Sequence, residues 1–164
     1  MNFLLTLTNW HAGLGRLLDK LQPLAQLAAR IYIADVFIKS GWLKFTSWEQ
    51  TVDLFTTEYH VPVLPPEVAA VAGTFGELVF PILLLLGLFG RVGALGTFAV
   101  NAMAVISYSH VLLSEGFEAA IGQHILWGVL TLGLTVFGTG LISVDTLLER
   151  RSAARCRPLA PALS

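Results

Sequence analysis

The sequence predicts an all-α membrane protein, an antiparallel bundle of four transmembrane helices with short interfacial helices beside it. Two observations predict this fold class: the 164 residues are 55% hydrophobic and only 13% charged, and the mean hydropathy is +0.71. Soluble domains carry about 25% charged residues, so we expect lipid to surround much of this chain. The short alternating segments typical of a membrane β-barrel are missing from the sequence.

Four apolar windows are long enough to cross a bilayer, which needs about 20 mostly apolar residues. They are residues 24–45, 68–89, 92–113 and 119–142. We expect a single membrane domain over residues 1–151, with the lipid bilayer as its first partner. Residues 152–164 are basic and contain no apolar window, and we expect a disordered tail there.

The distribution of basic residues predicts that both termini are cytoplasmic. Lysine and arginine concentrate in the short cytoplasmic loops of membrane proteins. Here they lie before the first window, in the second connection and in the tail, as Arg16, Lys20, Arg91, Arg150, Arg151, Arg155 and Arg157. The first and third connections carry acidic residues instead, so we expect both connections outside.

The segments around the spans predict short helices. The segment before the first window alternates leucines with charged residues, as an amphipathic helix in the inner interface does. Ser47 and Gln50 have the spacing of a capping box, and apolar residues recur behind them at helical spacing. They predict a helix on the outer surface. Ser143 and Asp145 are expected to cap a polar helix after the last span.

Small and polar residues recur along one face of each of the last three spans. These residues are Gly73, Glu77 and Pro81, then Gly93, Thr97, Asn101, Ala104 and Tyr108, then His124, Gly128, Thr131, Thr135 and Gly138. Small residues let helices approach closely, and hydroxyl and amide groups bond across the interface. The three faces therefore predict the inner wall of the bundle.

Glu77 lies near the middle of the second window, where an unpaired carboxylate is costly. One hypothesis pairs it with a cation of the first span, Arg30 or Lys44. In the alternative, these two cations reach the lipid headgroups, while Asp35 and Lys39 pair one helical turn apart. Glu77 would then be protonated and unpaired, because burial raises a carboxyl pKa.

His124 lies near the outer end of the fourth span, and two interpretations of it remain open. An imidazole at this depth can exchange protons with a quinone headgroup, or it can simply be a hydrogen-bonded interfacial histidine. His60 and His110 lie at a similar level, but no metal-ligand spacing accompanies them, so we predict no metal site. The sequence also lacks a phosphate-binding loop and a basic face for nucleic acid.

A set of short motifs resembles the DoxX family. The motifs are Arg30–Phe37, Ser40–Gly41, Lys44, Glu58–Pro62, Leu64–Glu67, Glu77, Leu86–Leu88, Gly90–Arg91, His124–Trp127, Gly138–Gly140 and Ser143–Asp145. The resemblance implies a multi-pass protein of the bacterial inner membrane, and the His-x-x-Trp pattern resembles one subgroup. Some relatives are subunits of a thiosulfate:quinone oxidoreductase, and others associate with redox-defence complexes or accompany metallophore-peptide biosynthesis.

The sequence and this resemblance together predict a quinone-linked redox accessory subunit of a larger system. Such a subunit would work with a protein partner or as a homo-oligomer, and any enzymatic role would be that of a membrane oxidoreductase subunit. The predicted site residues are Glu77 and His124 for catalysis, and Arg30, Lys44, Asn101 and Tyr108 for binding the quinone. The alternatives are a non-enzymatic anchor or assembly subunit, and a component for transport of a small solute or metal.

Overall fold

The computed structural model describes the backbone of residues 2–155 and the side chains of residues 10–153. Every regular element in this part of the chain is a helix. The helices are α1 (Asn2–Thr46), α2 (Trp48–Thr57), α3 (Pro66–Leu86), α4 (Gly90–Ser107), α5 (Ser109–Leu112), α6 (Glu118–Phe137) and α7 (Val144–Arg155). The predicted all-α fold class is therefore confirmed. The first residues of the predicted tail belong to α7, and residues 156–164 lie outside the described part.

Three helices within residues 2–155 are long and apolar enough to cross a membrane, namely α3, α4 and α6. They correspond to the last three predicted windows. The third window is divided between α4 and α5, because the backbone at Tyr108 leaves the helical region (φ −116°, ψ 20°). The first window lies within α1, whose charged residues Arg30, Asp35, Lys39 and Lys44 make it more polar than the other three.

The prediction of a separate amphipathic helix before the first span is wrong. Its residues form the first part of α1, which continues to Thr46 as one helix of 45 residues. The stretch between Arg16 and Leu24 contains no glycine that would end a helix. Pro23 lacks only one backbone N–H, and the helix passes through it.

The helix predicted after Ser47 is confirmed as α2, but its predicted capping box is wrong. The Ser47 side chain makes no capping hydrogen bond at the start of α2. Instead, the Thr51 hydroxyl donates to the Lys44 carbonyl oxygen over 2.9 Å. This bond holds the first turn of α2 against the last turn of α1.

The four long helices pack in a closed order around a shared core. Helix α1 contacts α3 and α6, and α4 contacts the same two helices from the other side. The polar stripes face inward as predicted: Thr97 and Thr131 are completely buried, and Asn101 is almost so. The apolar centre consists of Ile33, Phe37, Leu84, Ala94 and Leu134.

Arg30 closes one end of this helix packing, which we call the Arg30 end. Its side chain is buried, and its Nε donates to the Leu84 carbonyl over 2.8 Å. One Nη donates to Thr139 and Ile142 over 3.0 and 2.6 Å, and the other donates to Leu85. Two of these bonds go to carbonyls in the last turn of α3, where Leu84 also accepts the Gly87 N–H, and the other two go to the connection between α6 and α7. The expectation that Arg30 reaches toward lipid headgroups is therefore wrong.

Asp145 completes the Arg30 end by capping α4. The sequence had predicted that it caps α7, and that prediction is wrong. Its two carboxylate oxygens accept the backbone N–H groups of Phe89 and Gly90, each over 3.0 Å. Gly87 allows this tight connection, because its φ is +64° and a Cβ there would lie 2.5 Å from Ser143. Ser143 does cap α7, accepting a backbone N–H with its hydroxyl.

We expect Arg30→Met to lower the free energy of unfolding by about 3 kcal/mol or more, because several buried carbonyls lose their donor at once. Chemical unfolding in detergent, followed by circular dichroism, measures the change. Arg91→Met is the matched control, because Arg91 is exposed at the same end and should change stability by less than about 0.5 kcal/mol. Equal stability of the two variants would contradict the closing role of Arg30.

Candidate functional site

A buried ion pair joins α1 to α3 at the opposite end of the helix packing, which we call the Lys44 end. The Lys44 Nζ lies 2.6 Å from both carboxylate oxygens of Glu77 and 2.9 Å from the Ser40 hydroxyl. The two charged side chains are only 14% and 10% exposed. The structure thus confirms the hypothesis that a cation in the first window pairs with Glu77, and that cation is Lys44.

Gly41 makes this pairing possible. A Cβ at position 41 would lie 3.0 Å from the Glu77 Cβ and 3.0 Å from the Leu78 Cγ, so α1 and α3 are in close contact there. Lys44 is nearly one turn further along α1 and therefore faces the same side of α3. A larger residue at position 41 would separate the helices and lengthen the ion pair.

The ion pair lines a cavity of about 220 Å³, which we call the polar cavity. Its polar lining comes from α1, α3 and α6, from the α2–α3 connection and from the junction of α4 with α5, and consists of Ser40, Lys44, Tyr59, Glu77, Tyr108, His124 and Trp127. A carboxylate, an ammonium group, an imidazole and two phenols thus share one small space. Such a convergence of polar groups in an otherwise apolar core is the usual mark of a small-molecule site.

Aromatic contacts fix one wall of the polar cavity. The Tyr59 ring packs edge-on against Phe55 at 4.8 Å and against Tyr108 at 5.1 Å, measured between ring centroids. Burial, and then the proximity of Glu77 and Tyr108, raise the pKa of the Tyr59 phenol above its ordinary value. Tyr59 therefore keeps its proton at neutral pH and is a hydrogen-bond donor in this wall.

Asn101 holds His124 at the opposite wall. Its amide nitrogen donates to the His124 carbonyl over 2.9 Å, and its amide oxygen lies 2.8 Å from the His124 Nδ1. With the amide oxygen as acceptor, Nδ1 carries the proton and Nε2 is the basic nitrogen of the ring. The Trp127 ring packs edge-on against the imidazole at 4.9 Å. His124 is thus held in one orientation and one tautomer.

The structure brings together four of the six predicted site residues in the polar cavity: Lys44, Glu77, Tyr108 and His124. Asn101 does not line it and acts on it through His124. Arg30 lies at the other end, among backbone carbonyls, so its predicted contact with a quinone remains a prediction that this geometry does not favour. The lining residues Tyr59 and Trp127 were missed as site residues, although both occur in motifs of the sequence.

A second cavity, of about 290 Å³, adjoins the polar cavity between α3 and α4, and we call it the apolar cavity. Lys44, Tyr59, Glu77 and Ala104 line both cavities. The ion pair thus lies at the junction of a polar and an apolar space. This arrangement suits a ligand that has both kinds of surface.

Within the described side chains, no group of three or more His, Cys, Asp or Glu residues is placed to hold a metal ion. His60 and His110 do stack, with their ring centroids 4.5 Å apart. The polar cavity offers acid–base groups and hydrogen bonds.

The sequence model of the DoxX family matches residues 25–110, which include Arg30, Lys44, Glu77 and Arg91. The chain belongs to the DoxX family. A comparison with curated proteins found no match to this DoxX protein. A comparison with solved structures likewise found none. Because the family match ends before His124 and Trp127, the resemblance to the His-x-x-Trp subgroup stays a prediction.

We expect Lys44 and Glu77 to be strongly coupled in a double-mutant cycle of Lys44→Met and Glu77→Gln. Each single variant leaves a buried polar partner unpaired and should lose about 3 kcal/mol of stability, and the double variant should lose about 1–3 kcal/mol less than the sum. Unfolding in detergent measures the cycle. The control cycle is Lys44→Met with Glu149→Gln, an exposed carboxylate on α7 at the Arg30 end, whose coupling should lie within about 0.5 kcal/mol of zero. Equal coupling in both cycles would contradict a buried pair.

Proposed function

We propose that this DoxX protein binds the headgroup of a quinone in the polar cavity and serves as a quinone-linked accessory subunit of a membrane redox system. One observation carries the proposal: Lys44, Glu77, His124 and two tyrosines line the same buried space. Ammonium and phenol groups donate hydrogen bonds of the kind that quinone carbonyl oxygens accept. The carboxylate and the imidazole can hold and pass protons.

The size of the polar cavity supports a single-ring headgroup. At about 220 Å³, it is smaller than the ~300–1,000 Å³ of typical sites for drug-sized ligands. Aromatic rings of Phe37, Tyr59 and Trp127 lie in its wall and offer flat apolar surface to such a ring.

In this proposal, different residues of the polar cavity bind the quinone and supply its protons. Reduction of a quinone takes up two protons and two electrons, and the electrons would come from a reduced flavin or metal centre of a partner subunit. Lys44 would exchange its hydrogen bond to the Ser40 hydroxyl for one to a quinone carbonyl oxygen, while Glu77 holds its charge. His124, with its Nδ1–H held by Asn101, would take up a proton from water at Nε2 and pass it to a quinone oxygen, once for each of the two protons.

The proposal includes four spans, with α1 as the first and both termini in the cytoplasm of a bacterial inner-membrane protein. Two features support α1 as a span. It packs along α3 and α6, and both Arg30 and Lys44 find polar partners inside the bundle. Arg30 is buried among carbonyls and Lys44 is paired with Glu77. The positions of Arg91 and the α7 arginines support the orientation.

Two charged residues on the face of α1 that points away from the other helices support binding of a protein partner. Asp35 and Lys39 form an ion pair of 2.7 Å whose side chains are 55% and 75% exposed. In a spanning α1 this pair would lie between the depths of Arg30 and Lys44, where each charged residue costs about 2.5–3.5 kcal/mol against lipid. A partner chain or a second copy that covers this face would remove the cost.

We expect the purified protein to bind a short-chain benzoquinone with one site per chain. Glu77→Gln should weaken binding about ten-fold or more because Lys44 loses the carboxylate that positions it, and His124→Phe should do so because the protonated imidazole can no longer donate to the ligand. Native mass spectrometry gives the stoichiometry and a binding titration gives the Kd. Glu49→Gln, an exposed carboxylate on α2, is the control and should bind as the native protein does. If the native protein retains only lipid and a partner chain, the quinone proposal fails, and an anchor or assembly role takes its place.

We expect the double substitution Asp35→Leu with Lys39→Leu to reduce co-purification of any partner or second copy by about five-fold or more, because it removes the polar contacts of that face. Quantitative mass spectrometry of gently solubilised membranes compares it with a control, Val129→Ala, on the exposed face of α6. Unchanged association in the double variant would show that this face of α1 is not the interface.

A further inference from the structure

We propose that the apolar cavity holds the alkyl or isoprenoid tail of a single-chain amphiphile, which enters from the bilayer between α3 and α4. The head of this molecule lies in the polar cavity, beyond the Lys44–Glu77 pair. The identity of the head as a quinone rests on the proposed function. The tail site rests on separate observations of the walls, the opening and the inner end of the apolar cavity.

More than half of the α3 and α4 residues that line the apolar cavity are alanine or glycine, namely Ala69, Ala72, Gly73, Gly96, Ala99 and Ala104. The larger apolar side chains of these two helices in the lining are Phe80, Val100 and Met103. Helix interfaces normally fill the space between their axes with interlocking side chains, and large voids inside proteins are few. Here a space of about 290 Å³ remains next to a charged pair. A slender apolar chain would complete the packing that these residues leave open.

The cavity opens on the lipid-facing side. Ala72, Ala99 and Met103 line it and are themselves exposed, on the outer surfaces of two helices that are apolar enough to span a membrane. A tail that moves from lipid into this cavity exchanges one apolar surrounding for another, so it enters without a hydrophobic penalty. A free polar solute would have to cross hydrocarbon to reach the same opening. The opening therefore favours a molecule that is already dissolved in the bilayer.

One polar group in the lining of the apolar cavity, the Ser107 hydroxyl, is free to bind a polar atom of a ligand. Ser107 lines the cavity and is buried, and its hydroxyl has no hydrogen-bond partner among the described residues. An unpaired buried hydroxyl is costly, and an oxygen atom of the ligand would satisfy it. Because Lys44 and Glu77 line both cavities, a chain in the apolar cavity leads its head directly to the ion pair.

Photolabelling with two probes tests the tail site. Both probes carry the same decyl chain with a diazirine near its end; one has a benzoquinone head and the other a plain hydroxyl head. The native protein in phosphatidylcholine vesicles is irradiated with each probe, and the labelled residues are mapped by peptide mass spectrometry. We expect labels to concentrate on Ala72, Ala99 and Met103 relative to equally exposed residues elsewhere, such as Val129 on α6.

Two variants fill part of the apolar cavity, and a third variant serves as the control. Ala99→Phe should reduce labelling of the cavity about ten-fold, because the larger ring fills the space that the tail needs. Leu95→Phe lies one turn away on the exposed surface of α4, outside the cavity lining, and should label as the native protein does. Ala72→Phe repeats the test from α3 if Ala99→Phe does not fold.

Each outcome separates the tail site from the quinone proposal. Labelling of the cavity by the hydroxyl probe alone would support the tail site and contradict the quinone head. Labelling by both probes supports the tail site and is consistent with the proposed function. If the quinone probe binds but its chain labels only residues outside the cavity, the tail site is wrong and the quinone head stands. Uniform labelling of all lipid-facing helices, unchanged in Ala99→Phe, would overturn the tail site outright.

Discussion

The ion pair between Lys44 and Glu77 is the constraint on which the Lys44 end depends. A charged side chain inside a membrane protein needs an oppositely charged partner or polar contacts, because the desolvation cost of a lone charge is high. Gly41 lets α1 approach α3 closely enough for the two side chains to meet. Once the pair is formed, it fixes the spacing of the helices and keeps a polar space open in an apolar core.

The two ends of the helix packing use their polar residues differently. At the Arg30 end, every hydrogen bond of the guanidinium goes to a backbone carbonyl, and Asp145 caps the start of α4. These groups are saturated by the fold itself, which indicates a structural role. At the Lys44 end, charged and aromatic side chains line open space, and the Ser107 hydroxyl is left without a partner among the described residues. Unsaturated groups around a cavity are what a ligand site requires.

This difference could not be obtained from the sequence, although much of the fold could. Long apolar windows predicted α3, α4 and α6, and the spacing of small and polar residues predicted their inward faces, because both signals are local. The pairing of Lys44 with Glu77 is not local: the residues are 33 positions apart, and Arg30 was an equally good candidate by charge. Asp145 likewise caps a helix 55 residues away, which no capping rule for adjacent residues predicts. The family resemblance marked Arg30 and Glu77 alike, and only their surroundings distinguish them.

The charge state of Glu77 in the membrane tests the central claim most directly. Infrared spectroscopy of the protein in lipid, with isotope-labelled glutamate and Glu77→Gln as the reference, isolates the absorption of this carboxyl group. The Lys44–Glu77 pair predicts an ionised carboxylate band that is lost in Glu77→Gln and is replaced by a protonated-acid band in Lys44→Met, where the partner cation is gone. A protonated-acid band from Glu77 in the native protein would contradict the ion pair and, with it, the account of the Lys44 end.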